Sequence, residues 1–102
     1  IHLGGVVINP LTKIGRNVTL LRGCTIGSNR RGVRCGAPCI GDNVWIGANA
    51  AIIGMVTIGN DVMVAPNSYI NFDVPSHSIC LGNPAKIIHK ENATDFYIDN
   101  PI

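Results

Sequence analysis

The sequence predicts an all-β fold, a parallel β-helix wound from hexapeptide repeats, with one protruding loop and a C-terminal tail. Branched aliphatic residues recur every six positions, at Ile8, Ile14, Leu20 and Ile26 and then at Ile40, Ile46, Ile52, Ile58, Val64 and Ile70. Glycine follows the grid residue in Ile14-Gly15, Ile26-Gly27, Ile40-Gly41, Ile46-Gly47 and Ile58-Gly59, and small or polar residues fill most of the intervening positions. Such a period fits neither an amphipathic helix nor an alternating strand. It fits a triangular solenoid in which each unit forms one short side and turns its grid residue inward.

The elements follow from the grid in chain order. Residues His2 to Ile26 make the first coils, of about eighteen residues each when three units close a turn. The step from Ile26 to Ile40 exceeds one unit by eight residues, and Ser28 to Pro38 is rich in turn and charged residues. This places a surface loop over 28–39, since a solenoid accepts insertions at its corners without changing the coil beneath. From Ile40 to Ile70 the grid is unbroken. The segment Phe72 to His77 is expected to end the repeat, Ile79-Cys80-Leu81 reads as one more short strand, and Gly82 to Lys86 as a turn from which Ile87-Ile88 leave the coil. The division is thus a β-helix over 1–88 and a tail over 89–102.

Composition narrows the function classes. A charge of +2 over 102 residues is too small to argue for nucleic acid, although Arg30, Arg31 and Arg34 crowd the loop and suit a phosphorylated ligand. No apolar run is long enough to span a bilayer. Cys24, Cys35, Cys39 and Cys80 are too irregular for a disulfide scaffold, which favours reduced thiols and a cytoplasmic setting. The chain starts at Ile1 with a coil under way, so it is expected to be part of something longer. Flat faces and open ends favour a homo-oligomer. Trp45, too large for the interior, is expected to pack against a neighbouring subunit or the loop.

Three segments carry more than the fold: His2-Leu3-Gly4-Gly5-Val6-Val7-Ile8-Asn9, Ile40 to Ala50, and Gly82-Asn83-Pro84-Ala85-Lys86-Ile87-Ile88. With Cys24-Thr25-Ile26-Gly27 before the loop, they make the chain resemble the serine acetyltransferases and the acetyltransferases of exopolysaccharide (colanic-acid-type) synthesis. The resemblance implies a left-handed β-helix, a homotrimer and an acetyl-CoA-dependent O-acetyltransferase. It also implies His2 as the general base, which suits the chemistry: an alcohol is a poor nucleophile at neutral pH and needs a base titrating nearby. The coenzyme is implied to contact Ala48, Ala65, Pro66 and Lys86. Small residues admit the pantetheine arm, Pro66 has no N–H to donate, and Lys86 offers a point charge to the nucleotide phosphates.

Two departures bear on the acceptor. The family's aspartate partner of the base falls before Ile1, and its loop histidine is replaced by Ala37, so a sugar hydroxyl competes with that of L-serine. No metal is expected. A zinc hydratase on this fold needs three converging histidines, and the spacings of His2, His77 and His89 do not place them on adjacent coils; His77 reads as a polar turn residue after Pro75. A non-catalytic scaffold is the remaining alternative.

Overall fold

The computed structural model describes residues 5–28 and 36–94. The 28–39 loop between Ser28 and Gly36, and the tail beyond Thr94, therefore lie outside the described residues. Among the described residues twelve short strands follow one another: β1 (Val7–Ile8), β2 (Lys13–Ile14), β3 (Thr19–Leu20), β4 (Thr25–Gly27), β5 (Cys39–Ile40), β6 (Val44–Ile46), β7 (Ala51–Ile53), β8 (Thr57–Ile58), β9 (Val62–Val64), β10 (Tyr69–Ile70), β11 (Ser78–Gly82) and β12 (Ala85–His89). As far as β10 every third strand joins the same sheet, and β11 and β12 then extend the third, giving three faces ordered β1-β4-β7-β10, β2-β5-β8 and β12-β11-β9-β6-β3. All pairings are parallel except β11 with β12.

The register measures the coil. Val7 pairs with Thr25 and Ala51 with Tyr69, an 18-residue repeat, whereas Ile26 pairs with Ile52 across the loop. The eight additional residues are therefore absorbed at one corner, and the faces above and below keep their alignment. Grid side chains stack through the centre: Ile26, Ile52 and Ile70 on one face, Ile40 and Ile58 on the second, Leu20, Ile46 and Val64 on the third, all buried. Residues two positions earlier, Cys24, Ala50, Val44, Val62 and Val56, complete the core. Ile14 departs from the expected inward burial, with 36% of its surface exposed, because it stands on the first described coil of its face with only Ile40 above it.

The repeat does not stop after Ile70. Val74 bridges Ile58 and Cys80 pairs with Val64, so a last coil is present, two residues shorter than the others, as Val62 opposite Ser78 shows. This shortening throws Val74 and Cys80 off the six-residue grid. The expected exit after Gly82 is also a reversal: the chain turns at Gly82–Ala85, and β12 runs back antiparallel along β11. It covers the edge that the last coil would otherwise leave open.

Corners bring the backbone through the left-handed region. Asn17, Asn43, Asp61 and His77 occupy one corner of successive coils, with φ of 56°, 56°, 56° and 59°. Asparagine and aspartate tolerate this conformation through local side-chain bonding. A second corner column holds Gly5, Gly23, Asn49 and Asn67, at φ of 72°, 80°, 62° and 63°. Beside the first column, each coil reaches down to the one below. Asp42 Oδ1 accepts the Arg16 N–H at 2.8 Å, Asn60 Oδ1 that of Asp42 at 2.8 Å, and Ser76 Oγ that of Asn60 at 2.9 Å.

Candidate functional site

The residues expected to meet the coenzyme lie along one edge of the prism. Ala48 belongs to the turn between β6 and β7, Ala65 and Pro66 to the turn between β9 and β10 directly above it, and Lys86 to β12 beside the last turn. Backbone bonds fix the stacking. Asn67 N–H donates to the Ala48 carbonyl at 3.0 Å, Ala65 N–H to the Cys80 carbonyl at 2.8 Å, and Gly82 N–H to Ser68 Oγ at 3.1 Å. A methyl group at Gly47 would sit 2.7 Å from Pro66 N, so only glycine lets these two turns close.

Along this edge some backbone groups are spent and others are not. The Ala65 amide is committed to Cys80 and the Ala48 carbonyl to Asn67. Among the described residues the Ala48 N–H has no acceptor, and the Ala65 and Pro66 carbonyls accept no backbone bond. The edge thus presents one donor and two acceptors beside small side chains, an arrangement suited to an extended amide-bearing arm. Lys86 is exposed on β12 opposite Leu81. His2 lies outside the described residues, as do Arg30, Arg31 and Arg34; Ala37, half-buried, follows them.

A second cluster was not foreseen. At the end of the first corner column, His77 Nδ1 stands 2.7 Å from Asp61 Oδ2 and 3.1 Å from Glu91 Oε2. Asp61 also accepts the Ala93 N–H at 3.0 Å on Oδ2, and the Thr94 N–H and hydroxyl at 3.0 and 2.8 Å on Oδ1. Burial opposes ionisation of Asp61, but these bonds outweigh it and hold its carboxyl below the usual carboxylate range. His77 is shifted upward, first by its bond to Asp61 and then, against partial burial, by the charges of Glu91 and Asp61. His89 joins the group: its ring lies 6.5 Å from that of His77, and its Nε2 is 3.9 Å from Glu91 Oε1. The spacing of His77 and His89 gives no sign of this proximity. They do not sit on adjacent coils; the β11–β12 hairpin brings Ser78 opposite His89 and sets the two rings side by side.

Comparison with known proteins places the fold. The family model for bacterial transferase hexapeptides (six repeats) matches residues 40–71. Serine acetyltransferase 2 of Arabidopsis thaliana is 42% identical over 87 residues, which cover 85% of this chain and 27% of that protein. The serine acetyltransferase of Helicobacter pylori is 36% identical over 90 residues, covering 88% of this chain and 53% of its own length. The chain is a hexapeptide-repeat β-helix that resembles the serine acetyltransferases. Solved structures agree. The Neisseria gonorrhoeae serine acetyltransferase in complex with serine superposes with a TM-score of 0.74 at 38% identity, covering 82% of this chain and 34% of that one. The soybean enzyme complexed with serine gives 0.76 at 38% identity, covering 82% and 35%. The likeness extends the fold assignment to a left-handed β-helix, the winding expected from the motifs. The chain spans between about a quarter and a half of these relatives' own lengths.

Proposed function

We propose that this chain is the β-helical part of an acetyl-CoA-dependent O-acetyltransferase that acetylates the hydroxyl of L-serine. The observation that carries the reading is the likeness, at 38% identity, to two serine acetyltransferases solved with serine. The prism edge supports it, since the Ala48 N–H and the Ala65 and Pro66 carbonyls, which make no backbone bond among the described residues, match what a pantetheine arm, with its two amides, asks of a protein backbone. Lys86 meets the nucleotide phosphates of the same molecule.

In this reading His2 takes the proton of the acceptor hydroxyl as its oxygen attacks the thioester carbonyl. The tetrahedral oxyanion then collapses, the carbon–sulfur bond breaks, and the leaving thiolate takes up the proton from the imidazolium. No acyl-enzyme forms. The assembly is a homotrimer in the cytoplasm, with a β-helix over 1–88 and a tail over 89–102. An apolar row supports the association: Trp45, Met63, Ile79 and Ile88 stand opposite one another across neighbouring strands on the outer surface of the five-stranded sheet.

One observation favours a second acceptor. Ala37 occupies the loop position where the resemblance leads one to expect a histidine, and its methyl group offers an amino-acid substrate no polar contact, so a sugar hydroxyl of surface polysaccharide is the competing substrate. An acceptor screen on the intact protein, reading free thiol released from acetyl-CoA against serine and a panel of sugars, separates the two. His2→Ala is expected to abolish transfer at saturating acetyl-CoA with coenzyme binding retained; unchanged transfer would remove His2 from the mechanism.

A further inference from the structure

Asp61, His77 and Glu91 converge from three separate places: the corner before β9, the corner before β11, and the segment after β12. Their ligand atoms lie within 4.8 Å of one another. The arrangement has an electrostatic oddity. Two carboxylate oxygens face a single ring nitrogen, His77 Nδ1, at 2.7 and 3.1 Å, yet one N–H can donate well to only one of them. The three groups turn one nitrogen and two oxygen donors toward a common point, a donor set that suits a divalent metal ion.

We infer that Asp61 Oδ2, His77 Nδ1 and Glu91 Oε2 form a binding site for a divalent cation of the zinc and cobalt class. Tetrahedral coordination with bonds of about 2.0–2.2 Å sets ligand atoms a little over 3 Å apart, so the two edges at His77 Nδ1, 2.7 and 3.1 Å, need open only slightly to admit the ion. Imidazole among the donors selects this class over magnesium or calcium, which take oxygen donors in larger number. Asp61 can serve without releasing the tail, because Oδ2 has a second lone pair beyond the one accepting Ala93 N–H, and Oδ1 keeps both bonds to Thr94. His89 Nε2 lies 3.9 Å from the other Glu91 oxygen, outside the three ligands, and water fills the fourth position. His77 and Glu91, with side chains 44% and 68% exposed, leave the ion a path in.

The ion here is structural. It ties the last two coils to the segment after β12, and it involves neither the prism edge nor His2, so it stands whether or not acetyl transfer does. The test is a titration of the full chain, freed of metal by chelation, with Co2+ followed by visible absorption and with Zn2+ followed by calorimetry. One ion per chain is expected, with the weak visible bands of nitrogen and oxygen donors. His77→Gln and Glu91→Gln, each checked for retained β-structure by circular dichroism, are expected to weaken binding by about tenfold or more. Zn2+ is expected to raise the melting temperature of the parent chain and not of His77→Gln. Absence of binding, affinity unchanged in both variants, or the intense near-ultraviolet charge transfer of thiolate ligation would each overturn the assignment.

Discussion

His77 hydrogen-bonds through Nδ1 to Asp61 Oδ2 at 2.7 Å, and the two residues are successive members of one column of left-handed corner residues. Lower in the column the contact is between amides, Asn17 Nδ2 donating to Asn43 Oδ1 at 3.1 Å. The change from amide pair to carboxylate and imidazole coincides with the shortened last coil and with the return of the chain over that corner. Asp61 then holds three groups of the returning segment, the N–H of Ala93 and the N–H and hydroxyl of Thr94, and both of those residues are buried.

Asp61→Asn is expected to release this segment. The amide that replaces the carboxylate retains one acceptor oxygen and presents donors to the N–H groups it faces. Losing charge-assisted bonds of this kind costs about 1.5–3 kcal/mol each, less whatever water recovers. Hydrogen exchange at Ala93 and Thr94 is the direct measure: their amides are expected to exchange faster by more than an order of magnitude, with those of Ile46 and Ile52 little changed. Unaltered protection at Ala93 and Thr94 would mean that the segment is held by something other than Asp61.

How far the sequence foretells this architecture depends on whether a residue's role repeats. The interior is legible because every coil needs a branched aliphatic at the same three places, so Ile40 to Ile70 announce themselves and the eight-residue loop appears as a gap. Val74 and Cys80 hold the same inward places but fall off the period, because the last coil is two residues shorter and nothing local marks the loss. Ala48, Ala65, Pro66 and Lys86 are named by the family resemblance and not by the grid; which amides and carbonyls beside them carry no backbone bond among the described residues has no sequence signal, since it depends on which bonds the neighbouring turns take. The cluster at Asp61, His77, His89 and Glu91 has no signature, as it rests on a hairpin reversal at Gly82–Ala85 that reads as an exit. The corner asparagines are a signal that pattern reading can use: Asn43, Asn49 and Asn67 each mark a left-handed turn.

Glycine after the grid residue has a steric cause that substitution can expose. At Gly59 an added methyl group would lie 2.6 Å from both Ser76 N and Ser76 Oγ, inside the ladder that links the coils, whereas at Gly27 it would meet, among the described residues, Ile53 Cδ1 alone, at 3.4 Å. Gly59→Ala is therefore expected to cost about 1–3 kcal/mol, the usual penalty of forced overpacking, and Gly27→Ala close to nothing. Urea unfolding midpoints of the two variants measure the contrast. Equal midpoints would show that Ser76 gives way to the added methyl group and that steric closeness at Gly59 is not the cause.

Cys80 predicts an alkaline limb in the stability of the fold. Burial raises its thiol from 9.0 to about 11, so the folded chain keeps a proton that the unfolded chain releases. Below pH 9 both states hold it and stability does not depend on it. Between the two values the unfolded state binds fewer protons, and stability falls as pH rises. Cys80→Ala removes the ionising group, so the difference between parent and variant is expected to shrink steadily over that window, as denaturant unfolding at each pH would measure. The same burial predicts that thiol reagents reach exposed Cys39 in the native state well before Cys24 or Cys80.

Lys86 tests the proposed coenzyme contact without disturbing the coil. It is exposed on the outer side of β12, paired across the hairpin with Leu81, so its replacement by glutamine leaves packing intact and removes one positive charge. A solvent-exposed charge facing a phosphate contributes on the order of 1 kcal/mol or less, which corresponds to a rise of about two- to fivefold in KM for acetyl-CoA. The contact is made equally in the ground and transition states, so kcat is expected to hold. Salt supplies the control. Screening weakens an exposed ion pair, so the ratio of KM between variant and parent is expected to approach unity as ionic strength rises, whereas a ratio indifferent to salt would show that Lys86 acts through β12 and not through the phosphates.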